Sequence, residues 1–349
     1  MTLKSLMPLL IGLTYTSSFQ ITAKELNLLM WEGTLSERVV QQWQALSGVT
    51  LHITHFDNSD SRDTLLTGNK GLPFDILILD NVAANIYGQL DELVDVSKLS
   101  NRSNNHKRWN DACGDYGQPY FWGSVGIVYR SDKIPHPPKK WRDFINPPAE
   151  LSGHISLLND STDSFLPFLV SRGISPETDS AHALKQSYSA MINFNHHVLT
   201  YQYPPSFVKH NLNAEQLYMG VAYSGDEHLL NRIQNVDYWQ FTLPEDRPQI
   251  WLDCLAISQH SDKKQLAKQF LNHLSDPKIS AINATDIKAA TTNVSALKLL
   301  PAWYLNDASL VADGRNILQG QLDSALSAEN IRLRAKILSQ LLNDHETQY

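Results

Sequence analysis

The chain has 349 residues, which at about 150 residues per domain predicts two domains with cores of their own. Its composition, 42% hydrophobic and 19% charged, excludes a disordered or collagen-like chain. The formal net charge of −7 argues against a nucleic-acid-binding surface, which needs clustered Lys and Arg, and fits a protein whose ligand is a cation.

The first 23 residues have the pattern of a secretory signal peptide. Lys4 supplies the positive start, residues 6–13 form a short apolar run, and small residues follow at Thr22 and Ala23. The alternative is a buried N-terminal strand. Because no later run reaches about 18 apolar residues, no membrane-spanning helix is predicted. We expect a periplasmic protein, secreted through the inner membrane with a cleavable signal and without a lipid anchor.

The next hundred residues alternate between strand and helix patterns. Residues 26–31 predict a strand, and Thr34 with Glu37 has the spacing of a capping box before a helix. Residues 49–54 alternate like a strand, and residues 73–79 form a largely apolar run that suits a strand buried on both faces. This order is typical of β-α-β units in an α/β protein.

The middle of the chain predicts a crossing segment followed by a second α/β unit. Residues 116–129 run through Pro and Gly into a strand, and residues 135–138 are a Pro-rich linker. From about Ala308 the leucine spacing predicts a helical tail. Further strands are predicted at residues 155–158, 217–223 and 251–257. Two α/β lobes favour a small-molecule site in the crevice between them.

Catalytic motifs are missing from the sequence. It contains no Gly-x-Ser-x-Gly elbow, no phosphate loop, no dinucleotide fingerprint and no His-Glu-x-x-His pair. His52 and His55 would face opposite sides of a strand, so they do not form a metal pair. We therefore expect no enzyme activity, no cofactor and no metal; a periplasmic enzyme is the lowest-ranked alternative.

The chain has two cysteines, Cys113 and Cys254. In an oxidising compartment such a pair can form a disulfide, but two separate buried thiols are an equal alternative at this point.

Aromatic residues stand next to carboxylates at three predicted strand ends. Trp31 ends the first strand, Tyr223 lies close to Asp226, and Trp251 lies close to Asp253. An alkylammonium group is attracted to an aromatic face and donates charge-assisted hydrogen bonds to a carboxylate. Each aromatic residue alone would more simply be a core residue, so the indication comes from the combination.

These segments resemble the periplasmic polyamine-binding proteins, the spermidine/putrescine-binding components of ABC transporters. The resemblance is carried by residues 28–31, 74–77, 119–123, 223–226 and 250–253. It implies a type II periplasmic binding protein, an α/β fold of two lobes joined by crossing hinge strands with the ligand cleft between them. It also places both cysteines in one lobe, which makes a disulfide feasible. The implied lobes are residues 24–130 with 254–300, and residues 131–253 with 301–349.

The resemblance also assigns a ligand-binding set with several departures from the family pattern. Tyr223 stands where the family usually has Trp, and Thr34 stands where it has a cleft Tyr. Asp80 replaces a Ser and is either an additional amine-binding carboxylate or the cap of the next helix. Further departures are Val82 and Ala289 in place of Tyr, and Ser161 and Ser164 in place of an acidic pair. The predicted ligand-binding residues are Trp31, Thr34, Asp80, Asp163, Tyr223, Asp226, Trp251 and Asp253.

The function implied is that of a monomeric periplasmic solute-binding protein for a linear polyamine of the spermidine, norspermidine or putrescine type. It would present this ligand to a membrane ABC permease. The alternative is a polyamine sensor subunit that signals to a membrane receptor, such as a cyclic-di-GMP signalling protein. Neither role involves nucleic acid.

Overall fold

The computed structural model describes residues 24–56, 59–68, 74–246, 248–311 and 320–348. The predicted signal peptide, residues 1–23, lies outside the described residues. Among the helices that are described, none combines the length and the apolar character that a membrane crossing requires.

Strands and helices alternate along the chain as the sequence predicts. The strands are β1 (Lys24–Trp31), β2 (Val49–Phe56), β3 (Ile76–Asp80), β4 (Gln118–Arg130), β5 (Ile155–Ser156), β6 (Val198–Thr200), β7 (Met219–Tyr223), β8 (Trp239–Thr242), β9 (Gln249–Ile257), β10 (Ala290–Thr291) and β11 (Gln321–Leu322). The helices are α1 (Glu37–Ser47), α2 (Ser59–Gly68), α3 (Asn81–Gln89), α4 (Lys107–Cys113), α5 (Trp141–Ile145), α6 (Leu166–Val170), α7 (Ala181–Phe194), α8 (Pro204–His210), α9 (Asp226–Gln234), α10 (Lys264–Leu274), α11 (Pro277–Ile287), α12 (Ala302–Leu305) and α13 (Ala328–Gln348).

Two local predictions are wrong. Helix α1 begins after Ser36 and not after Thr34, because the Thr34 hydroxyl donates to the Trp31 carbonyl and closes the turn after β1. The tail, predicted to be helical from about Ala308, contains a short strand at Gln321 and Leu322 that pairs with β9, and its last helix begins at Ala328; residues 312–319 of this prediction lie outside the described residues.

The strands form one sheet in the order β2-β1-β3-β9-β4-β7-β5-β6. Strand β4 runs through its middle: residues 118–124 pair with β9, and residues 125–129 pair with β7. Twelve of its thirteen residues are buried. Strand β4 therefore crosses from one half of the sheet to the other, as the crossing segment in the sequence predicts.

The halves of the sheet have separate hydrophobic cores. The first core packs on β1, β3 and β9, with Leu28 and Ile78 at its centre. In the other half, Ile127 faces the second core and the next residue, Val128, faces the third, because successive strand residues point to opposite faces. The lobe boundaries remain a prediction. Val125 packs in the second core, whereas Leu310 packs in the first core and Leu322 packs against it.

A disulfide between Cys113 and Cys254 ties the end of α4 to β9 within the first core. The two Cα atoms are 5.8 Å apart, and both side chains are fully buried. The bridge closes a loop of 141 residues, and long loops lose the most chain entropy when they are cross-linked.

We expect the double variant C113A/C254A to lose up to about 5 kcal/mol of unfolding free energy, measured by guanidinium denaturation under oxidising conditions. Wild type in reductant should lose a similar amount, whereas reductant should not change the double variant. Equal stability of wild type and variant without reductant would show that the disulfide contributes nothing.

Candidate functional site: a carboxylate-lined cleft between the cores

A cleft of about 350 Å³ opens beside the ends of strands from both halves of the sheet. Trp31 ends β1, Asp80 ends β3 and Tyr223 ends β7, in agreement with the rule that ligands of open α/β sheets bind at the carboxyl ends of strands. The cleft brings together all the residues predicted from the sequence: Trp31, Thr34, Asp80, Asp163, Tyr223, Asp226, Trp251 and Asp253. Their role in binding a ligand remains a prediction.

Aromatic rings line the cleft from both halves. The Trp31 ring lies 4.2 Å from Phe56, and Tyr223 meets Trp251 edge to face with 6.1 Å between the ring centroids. The Trp251 indole can lie flat against β4 because the facing residue is Gly123, where a Cβ would come within 2.5 Å of the indole. The rings therefore present apolar, electron-rich faces to whatever occupies the cleft.

Asp253 lies on β9 between these rings and is 7% exposed. The indole N–H of Trp31 donates to its Oδ1 at 3.2 Å. Burial raises the pKa of Asp253 to about 7, the bond from Trp31 opposes this shift, and nearby Asp80 adds to it. Asp80 is the direct cross-strand neighbour of Asp253, and like charges in that position repel.

Asp226 stands at the start of α9 and is 8% exposed. It accepts hydrogen bonds from the Tyr203 hydroxyl at 2.5 Å and from the Tyr223 backbone N–H at 2.8 Å. Burial nevertheless raises the pKa of Asp226 to about 7, because these neutral donors only partly replace water.

Asp163 Oδ2 accepts a hydrogen bond from the Tyr223 hydroxyl at 2.7 Å. Burial, together with the charge of Asp160, raises the pKa of Asp163 to about 7. The same contact and burial raise the pKa of the Tyr223 hydroxyl, so this phenol stays a neutral donor.

Asp80 is both the helix cap and a cleft residue, so the two alternatives left open by the sequence coexist. Its Oδ1 accepts the backbone N–H of Ala83 at 2.7 Å, which caps α3, and its Oδ2 pairs with Arg62 at 2.9 Å. Arg62 is buried and also pairs with Asp63. Asp80 therefore already has a cation as partner, unlike Asp226 and Asp253.

Residues that the sequence analysis did not predict complete the lining. Asp323 comes from the segment after β11 and accepts a hydrogen bond from Gln249 at 2.5 Å. Burial raises the pKa of Asp323 well above its usual range, and Asp163 and Asp80 add to the shift. Other polar residues of the lining that were not predicted include Tyr203, Asp160 and Glu177. The alternation of polar and apolar residues from Gln321 to Asp323 could have indicated a short strand at this position. The leucine spacing in the surrounding sequence favoured a helix instead.

The cleft has a strong excess of negative charge. Its lining includes nine acidic and three basic side chains. Two of the basic side chains already have partners within the protein. Arg62 forms ion pairs with Asp63 and Asp80, and Arg232 donates a hydrogen bond to the Asp286 carbonyl. An arrangement of buried carboxylates beside aromatic faces is chemically suited to an organic cation with more than one charge.

The chain belongs to the family of bacterial extracellular solute-binding proteins, whose family model matches residues 38–311. A norspermidine sensor from Vibrio cholerae is 41% identical, over 95% of this chain and 93% of that protein. The spermidine/putrescine-binding periplasmic protein of Escherichia coli is 23% identical, over 85% of this chain and 86% of that protein. The resemblance to periplasmic polyamine-binding proteins is therefore confirmed.

A solved structure confirms the predicted fold. The substrate-binding protein PotD of a spermidine/putrescine ABC transporter from Streptococcus pneumoniae superposes with a TM-score of 0.74. The superposition covers 92% of this chain and 99% of that one at 20% sequence identity. The protein is thus a two-lobed α/β binding protein of type II.

The raised carboxyl pKa values predict how the stability of the unliganded protein depends on pH. Folding takes up protons wherever the folded-state pKa, about 7 for Asp226 and Asp253, exceeds the unfolded value. The free energy of unfolding should therefore fall as pH rises from 5.5 to 7.5, by up to about 1.4 kcal/mol per pH unit for each carboxyl, and then level off. Denaturant titrations at a series of pH values measure this slope.

The variant D253N should have a smaller slope and be more stable than wild type at pH 8 without ligand, because a buried carboxylate is replaced by a neutral group. D111N, which changes an exposed aspartate on α4, is the matched control and should behave like wild type. A wild-type stability that rises between pH 5.5 and 7.5 would contradict the account.

Proposed function

We propose that this protein is a periplasmic solute-binding protein that holds a linear polyamine in the cleft between its lobes. One observation carries the proposal. Among the described residues, Asp163, Asp226 and Asp253 receive hydrogen bonds from neutral donors and have no cationic side chain within ion-pair distance. Ammonium groups of a ligand would supply the missing positive charges.

The rings of the cleft favour a polyamine over an inorganic cation. Trp31, Tyr223 and Trp251 offer flat faces on which methylene groups pack, and the same faces attract ammonium groups by about 0.5–2 kcal/mol each. An amino acid fits less well, because its carboxylate needs a basic partner. Arg62 is held by Asp63 and Asp80, Arg232 by the Asp286 carbonyl, and Lys288 lies over the Trp303 ring.

The charge of the cleft favours a triamine over a diamine. The carboxylates differ in the charges that act on them. Asp253 is affected by Asp80, and Asp226 by Glu227. Asp163 is affected by Asp160 and in turn acts on Asp323, so three groups result: Asp253, Asp226, and Asp163 with Asp323. A ligand with three ammonium groups can neutralise each group, whereas a diamine leaves one of them buried without a partner, which costs free energy. Spermidine and norspermidine meet this requirement, and putrescine does not.

The polyamine-bound protein has two candidate roles. The norspermidine sensor is 41% identical over nearly the whole chain, and this favours a sensor subunit that reports polyamine occupancy to a membrane signalling protein. The transport-associated relative is 23% identical, which keeps delivery to an ABC permease as the second candidate. In either role the protein would act as a periplasmic monomer, without enzyme activity and without nucleic acid.

Calorimetry with norspermidine, spermidine, spermine and putrescine tests the binding proposal. We expect saturable binding of the triamines and weaker binding of putrescine. D253N should weaken triamine binding by about 10- to 100-fold, because a charge-assisted hydrogen bond of roughly 1.5–3 kcal/mol is lost. D111N should bind like wild type. The absence of heat with all four amines at millimolar concentration would refute the proposal.

Gene deletion in the source bacterium separates the two roles. The sensor role predicts unchanged polyamine uptake and a lost cellular response to added norspermidine. The transport role predicts reduced uptake instead.

A further inference from the structure

A compact group of potential metal ligands lies beside the cleft but outside its lining. Helix α9 contributes Glu227 and His228, and the segment after α12 contributes Asp307. The His228 Nε2 atom lies 2.7 Å from Asp307 Oδ2 and 3.4 Å from Glu227 Oε1. One ligand atom from each residue lies within 4.8 Å of the others.

A second set of contacts orients both carboxylates. The Ser309 hydroxyl lies 2.6 Å from Glu227 Oε1 and 2.7 Å from Asp307 Oδ1. The backbone N–H of Gly225 donates to Glu227 Oε2 at 3.1 Å, and that of Ser309 donates to Asp307 Oδ1 at 2.9 Å. Carboxylates held in this way lose little freedom when they bind a metal, as in the outer shells of known metal sites.

We propose that Glu227, His228 and Asp307 bind a divalent transition-metal ion of the Zn²⁺ type. Zn²⁺ bonds of about 2.0–2.1 Å in tetrahedral geometry place neighbouring ligand atoms about 3.3 Å apart. The distances from His228 Nε2 to the two carboxylates, 2.7 Å and 3.4 Å, bracket this value, and the two carboxylate oxygens lie within 4.8 Å of each other. Side-chain shifts of about 1.5 Å or less therefore bring the three atoms to the spacing of a tetrahedral site. Any proton that His228 Nε2 shares with Asp307 Oδ2 would pass to solvent as the metal binds these two atoms, and water would complete the coordination.

The mixed donor set decides the class of metal. One imidazole nitrogen and two carboxylates suit Zn²⁺, whereas Ca²⁺ and Mg²⁺ prefer six or more oxygen ligands. Glu227 is largely buried, and His228 and Asp307 are partly exposed, so an ion has access to the group from solvent.

The site joins the two halves of the molecule. Helix α9 is anchored in the third core through Leu230, and Asp307 lies between Tyr304 and Leu310 of the first core. A metal bound to both sides stabilises the arrangement in which the halves are close, since a ligand favours the state that it binds more tightly. If the proposed function holds, the metal and the polyamine should each tighten the binding of the other.

The test is a zinc titration of the chelator-treated protein without polyamine. Calorimetry measures the binding, and thermal unfolding measures the change in Tm. We expect one equivalent of Zn²⁺ to bind and to raise Tm, and Ca²⁺ at the same concentration to have no effect. H228Q and D307N should weaken Zn²⁺ binding by more than about tenfold, since even the loss of an outer-shell partner costs about 10- to 100-fold.

The matched control is H260Q. His260 and Glu92 form another His–carboxylate pair at 2.7 Å, but this pair is exposed, and no third potential ligand joins it in the part of the chain that the structure describes. H260Q should bind Zn²⁺ like wild type. Equal Zn²⁺ affinity in H228Q and H260Q, no saturable binding in wild type, or an equal response to Ca²⁺ would overturn the proposal. Because no polyamine is present, these outcomes are independent of the proposed function.

Discussion

Holding several carboxylates together in a cleft that excludes much of the water is unfavourable, and this constraint governs the site. Each carboxylate loses hydration, repels its neighbours and receives too little compensation from neutral donors such as the Tyr203 hydroxyl. The unliganded protein therefore takes up protons that exposed aspartates would release at the same pH. A cationic ligand removes the cost by supplying the charge that the protein lacks.

The fold is what allows this arrangement to exist. Strand β4 crosses from the first core to the second, and β9 pairs with it. Trp251 on β9 therefore contacts both cores, and Asp253, two residues further along β9, lines the cleft between them. The disulfide to Cys254 fixes β9 one residue beyond Asp253. The three hydrophobic cores supply the free energy of folding that the buried carboxylates reduce. Binding sites commonly sacrifice stability in this way.

Local sequence patterns were sufficient to predict two α/β lobes and the strand-end aromatic residues and aspartates of the cleft. The type II fold and the cleft positions of Thr34, Asp80 and Asp163 were implied by the resemblance to the family. A short apolar strand that ends in Trp31, and an aromatic residue followed by an aspartate at residues 223–226, are recognisable from neighbouring residues alone. Asp323 was missed because its position depends on β11 pairing with a strand about 70 residues earlier in the chain. Tyr203 was missed because only the folded chain brings it to Asp226. Thr34 was assigned to a helix cap because its spacing matched, but the turn after β1 uses its hydroxyl.

The most direct test of the central claim is the number of protons released when a triamine binds. Titration calorimetry at pH 6.5 in two buffers of different ionisation enthalpy gives this number. With pKa values of about 7 for Asp163, Asp226 and Asp253 in the empty cleft, binding should release about two protons at pH 6.5, and the release should fall as the pH is raised to 8. Tight binding without proton release at pH 6.5, or with proton uptake, would contradict the account.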